Sequence, residues 1–336
     1  MISFSTWSFN NDYTFEDIIH KINKENTRRV SDRLTISSTN ILNCDNNNYL
    51  SLNILGKNTK CIFVKLLPND LNQSVSDIDV LIYEFDNKIR INAFRGFSTA
   101  NKILRQFFTE ASWGKINPEK SDVNEDLLYW MFKLIIDKST NTPLEPDNKL
   151  YINSLKRYRG SSKDQGNNFT GEGDRISDIL GTLAFLLDND VKLLKTRIIY
   201  HTPDVFHSLV LEIKLTGTLK FDTNYYDGQF KSLNNTSELT IALSILITEF
   251  IIPILIDSYK YAITNHKWNP SLKRDFIERI GDKIKERVDN EIHKVTKSIQ
   301  QISMSTDIDN NELDDAAIDS EFDEFDEFDD MQDIDE

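Results

Sequence analysis

Pro203-Asp204 and Glu212-Ile213-Lys214 stand seven residues apart in this 336-residue chain, and together they carry the residue types needed to cut a phosphodiester. An Asp and a Glu on neighbouring strands can hold Mg²⁺ through hard oxygen ligands. A lysine two positions beyond the Glu lies on the same strand face. There it can orient or activate the attacking water while the metal stabilises the charged transition state. Asp204, Glu212 and Lys214 are therefore the candidate catalytic residues, and Mg²⁺ is a cofactor only under this reading; otherwise none is expected. Simpler roles compete with it. Asp after Pro is a common turn pair, and Glu and Lys alternate on the solvent face of any two-faced strand.

The spacing resembles the PD…ExK pattern of a large superfamily of metal-dependent nucleases, at the short end of its range. That resemblance implies Mg²⁺-dependent nucleic-acid hydrolysis by these three residues. In a chain with 28% charged residues the same pattern also arises by chance. Asp79 with Asp86-Asn87-Lys88 repeats its form, but Asp86-Asn87 reads as a hairpin tip. His201, Asp204 and His207 are spaced by three around one turn, with no Cys pair and no HExxH nearby, so no metal site is assigned. The glycines between 160 and 173 spell neither GxxxxGK[ST] nor GxGxxG, and no GxSxG occurs.

A second constellation suggests binding rather than catalysis. Lys156, Arg157, Tyr158, Arg159 and Lys163 precede or enter a polar stretch, 160–174, with Phe169 beyond. Cations contact phosphates and aromatic rings stack on bases, so these are the candidate nucleic-acid contacts. A solvated loop explains the same residues, since Asp164, Glu172 and Asp174 offset their charge.

The formal charge of −15 divides unevenly. Residues 306–336 hold 16 of the 54 acidic residues and none of the 39 basic ones, leaving 38 acidic against 39 basic in residues 1–305. A body of net +1 is compatible with a polyanionic partner, whatever the whole-chain value. The terminal block cannot pack its like charges and is expected to be disordered. It repeats Glu-Phe-Asp three times, which places Phe322, Phe325 and Phe328 among carboxylates. Rings and carboxylates at that spacing can imitate a nucleic-acid strand, or dock in a basic groove in cis or in trans; a plain solubilising role needs no phenylalanine.

The elements that would position these residues follow from patterning. Thr14 caps a short helix bearing Phe15, Ile18, Ile19 and Ile22. Hairpins are expected at 49–55 with 61–67, and at 80–85 with 88–94 about Asp86-Asn87. Ser98 is expected to cap a helix to 113, and a buried helix follows at 124–138. A polar, Pro-containing connection at 139–148 suggests a boundary. Beyond it come a strand at 150–159, a helix at 175–188, and strands at 192–201, 208–215 and 218–221. The apolar segment 241–256 contains Glu249 and Pro253 and is shorter than the roughly 20 residues of a span; it reads as a core helix, kinked at Pro253. The last helix, 271–302, carries apolar residues at steps of three and four, a seam suited to a coiled coil or to a groove on the body. Cys61 opens an apolar run and reads as a core residue; with Cys44 it is too few for a disulfide scaffold.

The fold expected is α/β or α+β. Its parts are an N-terminal hairpin-and-helix domain at 1–140, a C-terminal antiparallel meander packed by long helices at 149–303, and the acidic tail at 304–336. The leading function is a non-enzymatic binding or regulatory module of a nucleic-acid-handling complex, with genome defence as the general setting. The alternatives are the nuclease on Asp204, Glu212 and Lys214, and a protein-only scaffold using the last helix and tail. A protein partner or a second copy is expected there, and no membrane. Without a signal-peptide pattern at its start, the chain is expected to be cytoplasmic.

Overall fold

A computed structural model of the chain describes residues 1–10, 13–30, 34–40, 49–70, 77–119, 122–137, 141–162, 168–172, 189–233 and 235–309. The order begins β1 (Ile2–Phe9), α1 (Phe15–Lys24), β2 (Thr27–Arg29), β3 (Leu34–Asn40), β4 (Leu50–Ile54), β5 (Lys57–Asp70), β6 (Ile78–Phe85) and β7 (Lys88–Ala93). It continues with α2 (Phe97–Phe107), α3 (Glu110–Trp113), β8 (Ile116–Pro118) and α4 (Glu125–Ile136). After the 139–148 connection come β9 (Leu150–Ser162), β10 (Asn168–Glu172), β11 (Asn189–Thr202), β12 (Val205–Lys214), β13 (Leu219–Phe221) and β14 (Asp227–Gly228). Helices α5 (Thr236–Leu246), α6 (Ile252–Thr264) and α7 (Pro270–Asp309) close the described chain. The fold is mixed α+β, with N-terminal strands, a large antiparallel sheet and long C-terminal helices, as the sequence suggests.

Local chemistry sets the early elements. Thr14 and Asp17 form a reciprocal capping box on α1, satisfying amides that a helix start leaves unpaired. Asp86 and Asn87 take φ of 49° and 60° at the β6–β7 tip, the positive values a tight hairpin turn needs. The preceding hairpin turns at Leu55-Gly56, φ 51° and 82°, with Ile54 paired to Lys57. Its tip is thus tighter than the five-residue turn expected at 56–60. Ser98 does not cap its helix: Gly96 is the N-cap, without a side-chain bond, and α2 ends at Phe107 rather than 113.

Strand β1 organises the sheet. Its first half, Ile2–Phe4, pairs with β13, and Ser5–Ser8 pair with β7. The order β10-β9-β11-β12-β13-β1-β7-β6-β5-β3-β2 is thereby continuous. On one side of its N-terminal half, Ile62, Val64, Val80 and Ile82 share a core with α1 and α2. On the other side, Cys61, Phe63, Leu81 and Tyr83 join a larger core with α4, α5, α6 and the inward residues of β9, β11 and β12. Helix α4, from before the 139–148 connection, therefore packs on strands from after it, and one compact unit runs Met1–Ile284.

The apolar segment 241–256 lies in α5, a π-helical turn at Ile247–Ile251 and α6. Pro253 has no N–H to give the carbonyl of residue 249, and the π turn absorbs that break in the ladder. The helix 236–264 has the length and composition of a membrane span, yet Ile241–Ile247 sit at the centre of the core. Glu249, in the π turn, accepts a 2.6 Å hydrogen bond from the Tyr83 hydroxyl and ion-pairs with Arg90, which fixes the helix to β6 and β7.

Residues of α7 from Lys285 onward belong to a second unit. Within it Val288, Ile292, Val295 and Ile299 are 44–61% exposed. The 160–174 stretch, expected as a loop, is strand at both described ends, with Gly160 and Gly171 inside β9 and β10. The helix expected at 175–188, Cys44 and the acidic tail beyond Asp309 lie outside the described residues, while 304–309, expected in the tail, continue α7.

Candidate functional site

Pro203 and Asp204 form the two-residue turn between β11 and β12, since Thr202 pairs with Val205. Asp204 is exposed there, and its backbone carbonyl accepts a 2.7 Å bond from Gln229 Nε2. Glu212 lies eight residues further along the regular strand β12. At about 3.4 Å per residue that is roughly 27 Å, so these two carboxylates share no metal ion. Asp86 sits at its hairpin tip paired with Lys57, and Asp79 pairs with Lys65. His207 is buried with Nδ1 2.7 Å from the Tyr226 hydroxyl, and burial pushes its pKa down to about 4. His201 is exposed at the hairpin edge. Among the described residues no three His, Cys, Asp or Glu side chains converge on a cation position.

Glu212 and Lys214 instead belong to a different arrangement. In register across the sheet stand Glu172, Arg157, Lys195, Glu212 and Lys220, on β10, β9, β11, β12 and β13. Glu212 is 1% exposed, with Oε1 3.2 Å from Lys220 Nζ and 3.7 Å from Lys214 Nζ. A buried carboxylate needs such partners. Here one carboxylate serves two lysines. Burial, then the Lys220 charge, hold Lys214 below the usual lysine range despite the pull of Glu212.

The rest of this face is also cationic. Arg197 follows Lys195 at the next outward position of β11, opposite Val210, and its guanidinium reaches Ser208 Oγ at 3.4 Å. Arg159 pairs across to Leu193 and is exposed. Lys192 is the extra residue of a bulge between Val191 and Leu193. Among the described side chains, Arg157, Arg159, Lys192, Lys195, Arg197, Lys214 and Lys220 thus share the outer side of the C-terminal half-sheet with two carboxylates, Glu172 and Glu212. Glu172 stands 3.9 Å from both Arg157 Nε and Lys195 Nζ. The inner side of the same strands is apolar and covered by α4, α5 and α6.

The residues expected to contact nucleic acid divide accordingly. Arg157 and Arg159 are on the cationic face. Tyr158 points the other way, is 5% exposed, and packs edge-on against Phe132 at 5.8 Å, so its ring is taken up by the core and is not offered to a base. Lys156 is the extra residue of a bulge, between the pairs Lys195–Arg157 and Thr196–Leu155. Lys163, the ring of Phe169, and the tail residues Phe322, Phe325 and Phe328 lie outside the described side chains. The sequence reading missed Lys192, Lys195, Arg197 and Lys220; the alternation in Lys195-Thr196-Arg197 was the signal for two of them.

Where β13 and β1 meet α2, this face deepens into a pocket of about 550 Å³. Its wall includes Arg159, Lys192, Lys214, Lys220 and the first residues of α2. No protein-family model and no curated protein sequence matches the chain.

Proposed function

We propose that this chain is a binding module of a nucleic-acid-handling complex, engaging the phosphate backbone through the outer face of β9, β11, β12 and β13. The observation that carries this reading is the concentration, among the described side chains, of seven cations against two carboxylates on one sheet face, in a body of net charge only +1. Phosphate contacts position a protein on a strand and dominate its affinity. The buried row of Glu212 between lysines fixes the cations in place, lowering the entropy lost on binding. The roughly 27 Å between Asp204 and Glu212 gives the nuclease reading no shared metal site, so recruitment, not cleavage, is the role proposed. The acidic tail, with its three phenylalanines, is a competitor for the same face.

Lysine-protection footprinting tests this. Acetylation of the full chain, with and without a single-stranded oligonucleotide, is read by mass spectrometry. Protection of Lys195, Lys214 and Lys220, with Lys57 and Lys60 on the opposite half-sheet unchanged, is the expected result. Uniform labelling in both conditions would reject the face.

A protein-only partner is the second reading, favoured by the exposed Val288, Ile292, Val295 and Ile299 of α7. Their steps of four, three and four make a coiled-coil seam.

A further inference from the structure

We infer that the pocket between α2 and the strand pair β12–β13 is a phosphoryl-binding site, shaped for a group carrying more than one negative charge: a terminal phosphate monoester of a strand, or pyrophosphate. The inference deepens the backbone-binding reading and rests on it for the strand-borne source.

Four cations from four strands converge on the pocket: Arg159 on β9, Lys192 on β11, and Lys214 and Lys220 on β12 and the neighbouring β13. The one carboxylate described among them, Glu212, is 1% exposed and lies beneath Lys214 and Lys220. Against Arg159, Lys214 and Lys220 alone it compensates a single charge, so an excess of about two positive charges faces the open side. Like charges gathered on rigid strands repel unless an anion joins them.

The start of α2 adds donors. Phe97 N–H gives its bond to Thr218 Oγ1 at 3.2 Å, and the first bond of the helix proper is from Ala100 N–H to Gly96 C=O. The amides of Ser98 and Thr99 precede that bond, and Ser98 lines the pocket. Amides at this position and the helix dipole favour a negative group. The helix end is held rigidly, because the Phe97 ring stacks on Trp7 at 5.1 Å and 9°. Gly96, the N-cap, contributes no side chain. Asp, Asn, Ser and Thr are the usual caps, and any of them would place an oxygen where the ligand oxygen belongs.

Gly96 also supplies the decisive variant. A Cβ at this position meets nothing within 4 Å, and its φ is −62°, so a side chain fits without strain. Gly96→Asp caps α2 and puts a carboxylate in the pocket; Gly96→Ser caps it without charge. The full-length protein and both variants are titrated with inorganic pyrophosphate, and with one short single strand bearing either a 5′-phosphate or a 5′-hydroxyl. For a strand-borne ligand, the unsubstituted protein prefers the 5′-phosphate strand by about tenfold or more. Gly96→Asp loses that preference with an unchanged or raised Tm, and Gly96→Ser keeps most of it. Pyrophosphate binding that is lost in Gly96→Asp, with the two strands bound equally, assigns the site to a free ligand. Equal strand affinities together with no pyrophosphate binding overturn the pocket and leave the cationic face standing. Pyrophosphate binding without affinity for either strand keeps the pocket and ends the backbone reading. Retention of every preference in Gly96→Asp also overturns the site.

Discussion

Lys220 on β13 and Glu212 on β12 face each other across one strand pair, Nζ 3.2 Å from Oε1, with the carboxylate almost sealed from water. This pairing makes a cationic face compatible with a folded sheet. Without Glu212, Lys214 and Lys220 would meet with no counter-charge between them.

Glu212→Gln keeps the shape and removes that charge. Chemical denaturation is expected to show a loss of about 1–3 kcal/mol, the scale of a charge-assisted bond or a buried polar group left unpaired. Affinity for phosphate-bearing ligands is expected to rise, because the pocket gains positive charge. A loss of both stability and affinity would show that Glu212 positions the lysines more than it restrains their field.

His207 provides a pH signature. Its pKa falls from the ordinary 6.5 to about 4 because burial disfavours the imidazolium. The unfolded chain therefore binds more protons than the folded one between those values, and stability rises with pH across that window. Read in the other direction, acidification from about pH 6.5 to 4 is expected to cost up to about 3 kcal/mol from this group. His207→Asn should flatten that part of the stability–pH curve. An unchanged slope would place the acid sensitivity elsewhere.

The α7 seam is exposed at Val288, Ile292, Val295 and Ile299. Replacing all four by Ser is expected to leave the Tm of the body within about 1 °C, since such positions contribute little within the monomer. Sedimentation velocity of the unsubstituted chain should show concentration-dependent association that the variant lacks. A monomer at every concentration for both proteins would leave the seam to a different partner.

How much of this was legible in the sequence varies by element. Thr14 and Asp86-Asn87 act within a few residues, and their roles are readable because the physics is local. The cationic face is not local. Lys195, Glu212 and Lys220 meet only through the register of β11, β12 and β13, and Ser3 closes the row only because β1 pairs with β13. Glu212 and Lys214 were singled out for their spacing to Asp204, which a hairpin turn then carries to the far end of the strand. Alternation alone places Tyr158 opposite Arg157 and Arg159; grouping the three as one basic–aromatic contact treated a regular strand as if it were a loop edge. The missing cap of α2 was hidden by Ser98, a good capping residue two positions too late.

Truncation after Ser305 removes the acidic block and changes the formal charge from −15 to +1. Stability is expected to change by no more than about 0.5 kcal/mol. Nucleic-acid affinity is expected to rise. At ~0.15 M salt, where the Debye length is about 8 Å, a distant tail matters little. Phe322, Phe325 and Phe328→Ser, with every charge kept, should reproduce part of the gain if the rings occupy the face. A gain only on full truncation would reduce the tail to electrostatics.

The cationic face itself is tested most directly by the salt dependence of single-strand binding. Equilibrium affinity is measured between about 0.05 and 0.2 M salt, where each neutralised phosphate contributes roughly −0.7 to the log–log slope. The proteins compared are the full chain and its Arg157→Glu, Lys195→Glu, Arg197→Glu variant, none of which lines the α2 pocket. Losing three contacts should make the slope shallower by about 2 and weaken binding at every salt concentration. An identical slope and affinity in the two proteins, or no measurable binding by the full chain even at the lowest salt, would contradict the assignment of this sheet face to a nucleic-acid backbone.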